Sequence, residues 1–233
     1  MPNYEVTGKP ADRQTGKLYI VSTPIGNLQD TTLRAIETLK AVDLIAAEDT
    51  RHTKILLDRY GIRTPMTSYF EYNKVKKAGY ILAALKEGKS VALVSDAGTP
   101  GISDPGYKII RLAIESAIAV VPIPGPSGLL TALAVSGKPT DKFTFEGFLS
   151  NKPIKRKNQL TKLKDEKKTV ILYESPHRII ALLNDISEVY GNIELVLARE
   201  LTKKFEEILR GKVTDIIEKF ESRKPKGEFI VII

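Results

Sequence analysis

The residues whose types and spacing suit chemistry lie in short polar loops, and the richest is 95–106, Ser-Asp-Ala-Gly-Thr-Pro-Gly-Ile-Ser-Asp-Pro-Gly. Glycines open backbone paths closed to other residues and let N–H and C=O groups approach a ligand. The loop has no lysine and no Gly-x-x-x-x-Gly-Lys pattern, so it is not built to cradle a nucleoside triphosphate. Taken alone, the loop is either a tight capped turn with no ligand or a holder for a small polar ligand without phosphates. Metal chemistry finds no ligand set, because the only histidines, His52 and His177, stand in separate elements without a neighbouring ligand. Ordinary hydrogen bonding or a surface role is expected of both. The absence of cysteine excludes disulfides and thiolate catalysis. Ser127, in Gly125-Pro126-Ser127-Gly128, lacks the Gly-x-Ser-x-Gly setting of a nucleophile elbow.

The elements that must position these loops are read from hydrophobic period. Strands are expected at 17–22, 44–47, 66–70, 91–94 and 118–122, with helices between them. Thr31 or Thr32 opens the first helix, whose apolar face is Leu33, Ile36 and Leu39. Asp104 and Pro105 read as N-cap and first residue of the helix over 107–114. This alternation predicts an open α/β sheet with crossover helices. Ligands of such sheets bind outside the carboxyl ends of the strands, so the loops after the first, second, fourth and fifth strands should converge. A second half follows: a helix over 129–136, strands near 143–146, 169–173, 193–198, 205–210 and 227–233, and a helix near 214–220. The expected organisation is a flexible lead-in over 1–16, an N-terminal α/β domain over 17–124 and a C-terminal α/β domain over 125–233.

A net charge of +8 and a pI near 9.4 favour a polyanionic partner such as RNA. Between Lys152 and Lys168 eight bases face only Asp165 and Glu166, which makes the stretch either a solvated helix face or a phosphate-contact surface. No segment approaches the ~18 consecutive apolar residues of a membrane span. The polar start, Met1-Pro2-Asn3-Tyr4-Glu5, has no signal-peptide core. A cytoplasmic protein with no membrane association is expected.

Six motifs carry a resemblance: Thr23-Pro24-Ile25-Gly26-Asn27-Leu28, Glu48-Asp49-Thr50-Arg51-His52-Thr53, the loop at 95–106, the segment 122–127, the segment 173–178 and the segment 198–203. In this order they resemble the bacterial ribosomal RNA small-subunit methyltransferase I family. That family belongs to the tetrapyrrole-methylase-like, class III methyltransferases that use S-adenosyl-L-methionine. The resemblance covers about 17–233. It implies two α/β domains of the tetrapyrrole methylase type with the cofactor cleft between them, a homodimer, and 2′-O-methylation of a cytidine in the decoding region of 16S rRNA within the small ribosomal subunit. Asp96, Ala97, Gly98 and Ile102 are then the residues along the cofactor, with Pro24, Ser127, Tyr173 and Leu201 completing its pocket.

A ribose hydroxyl must lose its proton on methylation, and the candidate bases are Glu48, Asp49, Glu174 and Glu200. A carboxylate paired with Arg51, Arg178 or Arg199 is instead structural, and the sequence does not choose among the four. Arg51, Arg178, Lys203 and the lysine-rich stretch, including Lys155, Arg156 and Lys157, are the expected contacts for RNA phosphates. Two departures stand out. Phe70 and Tyr72 occupy positions where relatives commonly have histidines, and the sequence ends at Ile233 without the C-terminal extension of many relatives. The competing readings are a methylase of a corrinoid or tetrapyrrole precursor and a non-catalytic RNA-binding protein. The charge and the lysine-rich stretch argue against the first, and the glycine-rich loop against the second.

Overall fold

The computed structural model describes residues 16–70, 74–221 and 224–233. Apart from Gly16, the lead-in expected over 1–16 lies outside the described residues, as does Tyr72. The chain divides into two compact units, the first holding Thr31–Gly125 and the segment that ends at Thr23, the second holding Pro24–Asp30 and Pro126–Ile233.

In the first unit, strands β1 (Lys17–Val21), β2 (Leu44–Ala47), β3 (Met66–Ser68), β4 (Val91–Val94) and β5 (Ala119–Ile123) form one sheet in the order β3-β2-β4-β1-β5. Every pairing in it is parallel. All residues of β2 and β4 are buried, as expected of strands covered on both faces, which read as unbroken apolar runs. Helices α1 (Leu33–Ala41), α2 (Thr50–Arg59), α3 (Lys74–Lys86) and α4 (Tyr107–Glu115) make the crossovers. Thr32 is the N-cap of α1, its Oγ1 accepting the Ala35 N–H at 3.1 Å. The start of α4 differs from the sequence expectation. Its N-cap is Gly106 with no side-chain cap, so Asp104 and Pro105 belong to the preceding turn. A Cβ on Gly106 would come within 2.7 Å of Gly101 N, and this backbone contact keeps the turn folded upon itself.

The second unit holds α5 (Gly128–Ser136), β6 (Phe143–Phe148), α6 (Pro153–Asp165), β7 (Thr169–Glu174), α7 (Ile179–Tyr190), β8 (Glu194–Arg199), β9 (Glu207–Lys212), α8 (Val213–Glu221) and β10 (Phe229–Ile232). Its sheet runs β6-β7-β10-β8-β9, parallel only between β6 and β7. Alternation along the strands fills two cores: Leu172 and Val231 join Leu160, Leu182 and Ile186, while Ile171 and Ile230 join Leu129 and Leu133.

The lysine-rich stretch forms α6, whose buried face carries Arg156 beside Leu160 and Leu163. Arg156 is 4% exposed, and its Nε donates to Asp185 Oδ2 at 2.6 Å. Its expected role as an RNA contact is therefore corrected, because a guanidinium held inside cannot reach a phosphate. Lys155 beside it is exposed. Arg156→Ala leaves Asp185 buried without this partner, and an expected loss of about 3–5 kcal/mol in folding stability is measurable by denaturant titration. An unchanged midpoint would show that the pair holds nothing together.

Candidate functional site

Within the first unit the loops at the carboxyl ends of β1, β2 and β4 are tied by hydrogen bonds. Thr23 N–H donates to Gly98 O at 2.8 Å and Gly98 N–H donates back to Thr23 O at 3.0 Å, a two-way bridge. Thr23 Oγ1 donates to Ser95 O at 3.0 Å, and Ser22 Oγ lies 2.9 Å from Thr99 Oγ1. Gly98 has φ +79, in the left-handed region that favours glycine. The loop after β2 is joined by Asp49 N–H donating to Asp96 Oδ1 at 3.0 Å and Asp96 N–H donating to Glu48 Oε2 at 3.3 Å. After β5, Gly125 passes close to Ser22, where an added Cβ would sit 3.1 Å from Ser22 Cβ. Ala97 is half-buried, and Ile102 on the same loop is 48% exposed. Of the residues that knit these loops, Thr23, Ser95 and Thr99 lie in the motifs read from sequence but are given no individual role there, and Ser22 lies outside those motifs. Their signal was position at a strand end rather than residue type.

The four candidate carboxylates separate by their partners. Asp49 receives Arg51 Nε at 3.1 Å and Nη2 at 2.7 Å, and these bonds push its pKa down to about 2. Glu174 is fully buried at its side chain, accepts the Ser175 N–H at 2.8 Å and meets Arg178 Nη2 at 3.0 Å. Glu200 accepts the Glu228 N–H at 3.0 Å and Lys203 Nζ at 3.1 Å. Burial opposes its charge, but those two donors outweigh it and hold the carboxyl below the ordinary range. Glu48 differs from the other three in direction. Burial pushes it up, aided by the charges of Asp96 and Asp49 and offset only in part by the Asp96 N–H. A half-buried carboxylate raised in this way is a better proton acceptor near neutral pH than one clamped by arginine.

The remaining candidates lie in the second unit. Pro24 is buried, and Ile25 next to it packs with Tyr173 against the core of Leu129, Leu133, Leu201 and Ile230. Leu201 is 6% exposed, and Ser127 is the N-cap of α5. A Cβ on Gly128 would lie 3.1 Å from Tyr173 Oη, so the start of α5 and the end of β7 meet. Around Leu201 the backbone is strained: Glu200 and Thr202 have φ +51 and +65. The strain is held by Thr202 N–H donating to Glu206 Oε2 at 2.6 Å and by Lys203 Nζ reaching Glu228 Oε2 at 3.0 Å as well as Glu200. Glu228, from the Gly-Glu-Phe segment, was missed as part of this network. Of the expected RNA contacts, Arg51 is 90% exposed at its side chain, Lys157 pairs with Glu188, and Arg178 donates to Leu149 O at 2.8 Å.

A lysine-free loop beside Glu48, Asp49 and Asp96 suits a ligand carrying positive charge and repels phosphate. Among the described residues no cluster of His, Asp and Glu is arranged to hold a metal ion, and no helix is long and apolar enough to cross a membrane. The chain matches the family model of tetrapyrrole (corrin/porphyrin) methylases over residues 17–217. It is 50% identical to ribosomal RNA small subunit methyltransferase I of Thermotoga maritima, over 94% of this chain and 98% of the relative. The protein of the same name from Escherichia coli O157:H7 is 49% identical over 96% of this chain and 79% of its own length. Among solved structures, a cobalt precorrin-4 methyltransferase is similar with TM-score 0.70 at 18% identity, covering 93% of this chain and 94% of its own. A diphthine synthase is similar with TM-score 0.70 at 15% identity, covering 94% and 90%. At that identity the two structures speak for the fold alone. The match over most of the chain, on the loops that the first sheet brings together, makes this chain a member of the tetrapyrrole methylase family.

Proposed function

We propose that the chain methylates the 2′-oxygen of a cytidine in the decoding region of 16S rRNA, acting on the small ribosomal subunit. It is a methyltransferase of ribosomal RNA, and S-adenosyl-L-methionine is its methyl donor. The observation that carries this reading is 50% identity over 94% of the chain to a relative named for ribosomal RNA, against 18% to a corrinoid methylase. The net charge of +8 points the same way, since a small substrate has no use for it.

When bound, S-adenosyl-L-methionine supplies an electrophilic methyl on a sulfonium: the O–C bond forms as the C–S bond breaks, and that electron pair stays on sulfur. The proposed holders are Asp96, Ala97, Gly98 and Ile102, with Pro24, Ser127, Tyr173 and Leu201 as the further residues proposed to contact the cofactor. The carboxylates of Glu48, Asp49 and Asp96 favour the cationic groups of this ligand, and backbone N–H and C=O groups around Gly98 can take up its polar edges. Glu48 takes the proton released by the ribose hydroxyl, with Asp96 N–H holding it in place. Asp49, Glu174 and Glu200 stay paired and keep the loops in shape. Arg51 and Lys155 are the exposed cations proposed to meet RNA phosphates.

The test is transfer of labelled methyl to small subunits lacking the modification, followed by mapping. Label on a cytidine 2′-oxygen upholds the reading. Cofactor binding with no RNA labelling would replace it by a small-molecule methylase, and no cofactor binding by an inert RNA binder. We also propose that the protein works as a homodimer, and a monomer by sedimentation at assay concentration would sink that part.

A further inference from the structure

A β-bulge in β6 turns an aromatic side chain to a place where the function described above has no use for it. Phe145 is opposite Ile171 of β7, and then Gly147 and Phe148 are opposite Leu172 and Tyr173, a register shift that skips Glu146. Side chains alternate along a strand, so without the extra residue Phe145 and Phe148 would point to opposite faces. With it, both share the face of Tyr173. Their rings meet it edge-on, Phe145 at 4.9 Å and 68°, Phe148 at 5.8 Å and 70°. Gly147 makes the turn at φ +60.

Phe148 is nevertheless 57% exposed, although the chain around it is clamped. Leu149 is buried, and Arg178 Nη2 donates to Leu149 O at 2.8 Å and Ser150 O at 3.3 Å. Ser150 N–H donates to Gln159 Oε1 at 2.9 Å, and Lys152 N–H to Ser150 Oγ at 3.2 Å. A ring that rests on Tyr173, itself packed against Phe145, and is mounted on a pinned segment offers solvent a preformed aromatic surface. The charges next to it in the chain are Lys152 and Lys155, both exposed at the start of α6. Aromatic faces beside free cations are what single-stranded nucleic acid binds: bases stack on the rings while phosphates meet the lysines.

We infer that Phe148, backed by Tyr173, is a stacking platform for an unpaired base of the RNA substrate, with Lys152 and Lys155 on its backbone. This rests on the ribosomal RNA reading above and adds where a nucleotide of that RNA is gripped. An apolar protein partner would use the same ring for its area alone, and the choice of variants separates the two.

The test measures affinity of the purified protein for unmodified small subunits, with cofactor affinity and thermal unfolding as controls. Phe148→Ala should weaken RNA binding by about tenfold to a hundredfold, the range for losing one base stack. Phe148→Leu should lose about as much, while Phe148→Trp stays within roughly threefold of the parent, since indole stacks and isobutyl does not. All three should bind S-adenosyl-L-methionine and unfold like the parent. Lys155→Ala should flatten the dependence of log affinity on log salt by about one phosphate contact. Parental affinity in Phe148→Leu or Phe148→Ala overturns the platform. If the parent transfers no methyl to small subunits, the ribosomal reading fails first. The same variants are then compared on a single-stranded RNA oligonucleotide, where loss with Ala and Leu but not Trp upholds the platform and equal affinities overturn it.

Discussion

Gly98→Val is expected to abolish binding of S-adenosyl-L-methionine, with no detectable heat in a calorimetric titration that saturates the parent protein. Gly98 sits at φ +79, where a β-branched residue is strained by about 1–3 kcal/mol. The backbone cannot relax without cost, because its N–H and C=O are both committed to Thr23 at 3.0 and 2.8 Å. Valine therefore either breaks that bridge, separating the loops after β1 and β4, or keeps it and fills the space a ligand needs beside the backbone. Both routes remove the site. Gly98→Ala carries the same φ penalty with less bulk and should weaken binding less. Parental affinity in the valine variant would place the pocket elsewhere.

Glu48→Gln is expected to lower methyl transfer by about 10²–10⁴-fold, the usual contribution of a general base, with a smaller loss of cofactor affinity, since Asp49 and Asp96 keep their charge. The direction of its pKa gives the pH signature. Burial holds Glu48 above its ordinary value of 4.5, and only the ionised form accepts a proton. Activity of the parent should rise as pH climbs through that raised value, and the glutamine variant should lose this ascending limb. Stability runs the other way. A carboxyl whose folded pKa is raised contributes stability that is complete below 4.5 and is lost as pH rises through the folded value. Glutamine cannot ionise, so the variant should be at least as stable as the parent at neutral pH. A variant that keeps full activity, or keeps the limb, would remove Glu48 from the chemistry.

Much of this site was legible beforehand, for local reasons. The apolar runs at 44–47 and 91–94 are fully buried, so they read as strands, and their alternation with helical segments pointed to an open α/β sheet. Thr32 was readable as a cap because its partner, Ala35 N–H, is three residues away. The start of α4 was misread, since an Asp-Pro pair signals a helix N-terminus and a turn equally well. Here Gly106 closing on Gly101 makes the turn and delays the helix. Arg156 and Lys155 looked alike in a run of bases. Burial of one face of α6 sends the first to Asp185 in α7 and leaves the second in water.

The sequence by itself determined the alternation of strands and helices, the glycine-rich loop without lysine, the family and hence the methyl donor. These depend on period, on residue type within a loop and on motifs in order, all local in the chain. Only the tertiary structure decided which of the four candidate carboxylates has no cation paired with it among the described residues. Asp49 meets Arg51 two residues away, but Glu48 owes its raised state first to burial, with the charge of Asp96 from the loop after β4 adding to it, and Glu200 is held down by the N–H of Glu228, just before β10. The bulge that turns Phe148 beside Tyr173 likewise exists only once β6 is paired with β7. A proton's affinity for a carboxylate and the face a ring presents are set by neighbours in space, and pairing between distant strands chooses those neighbours.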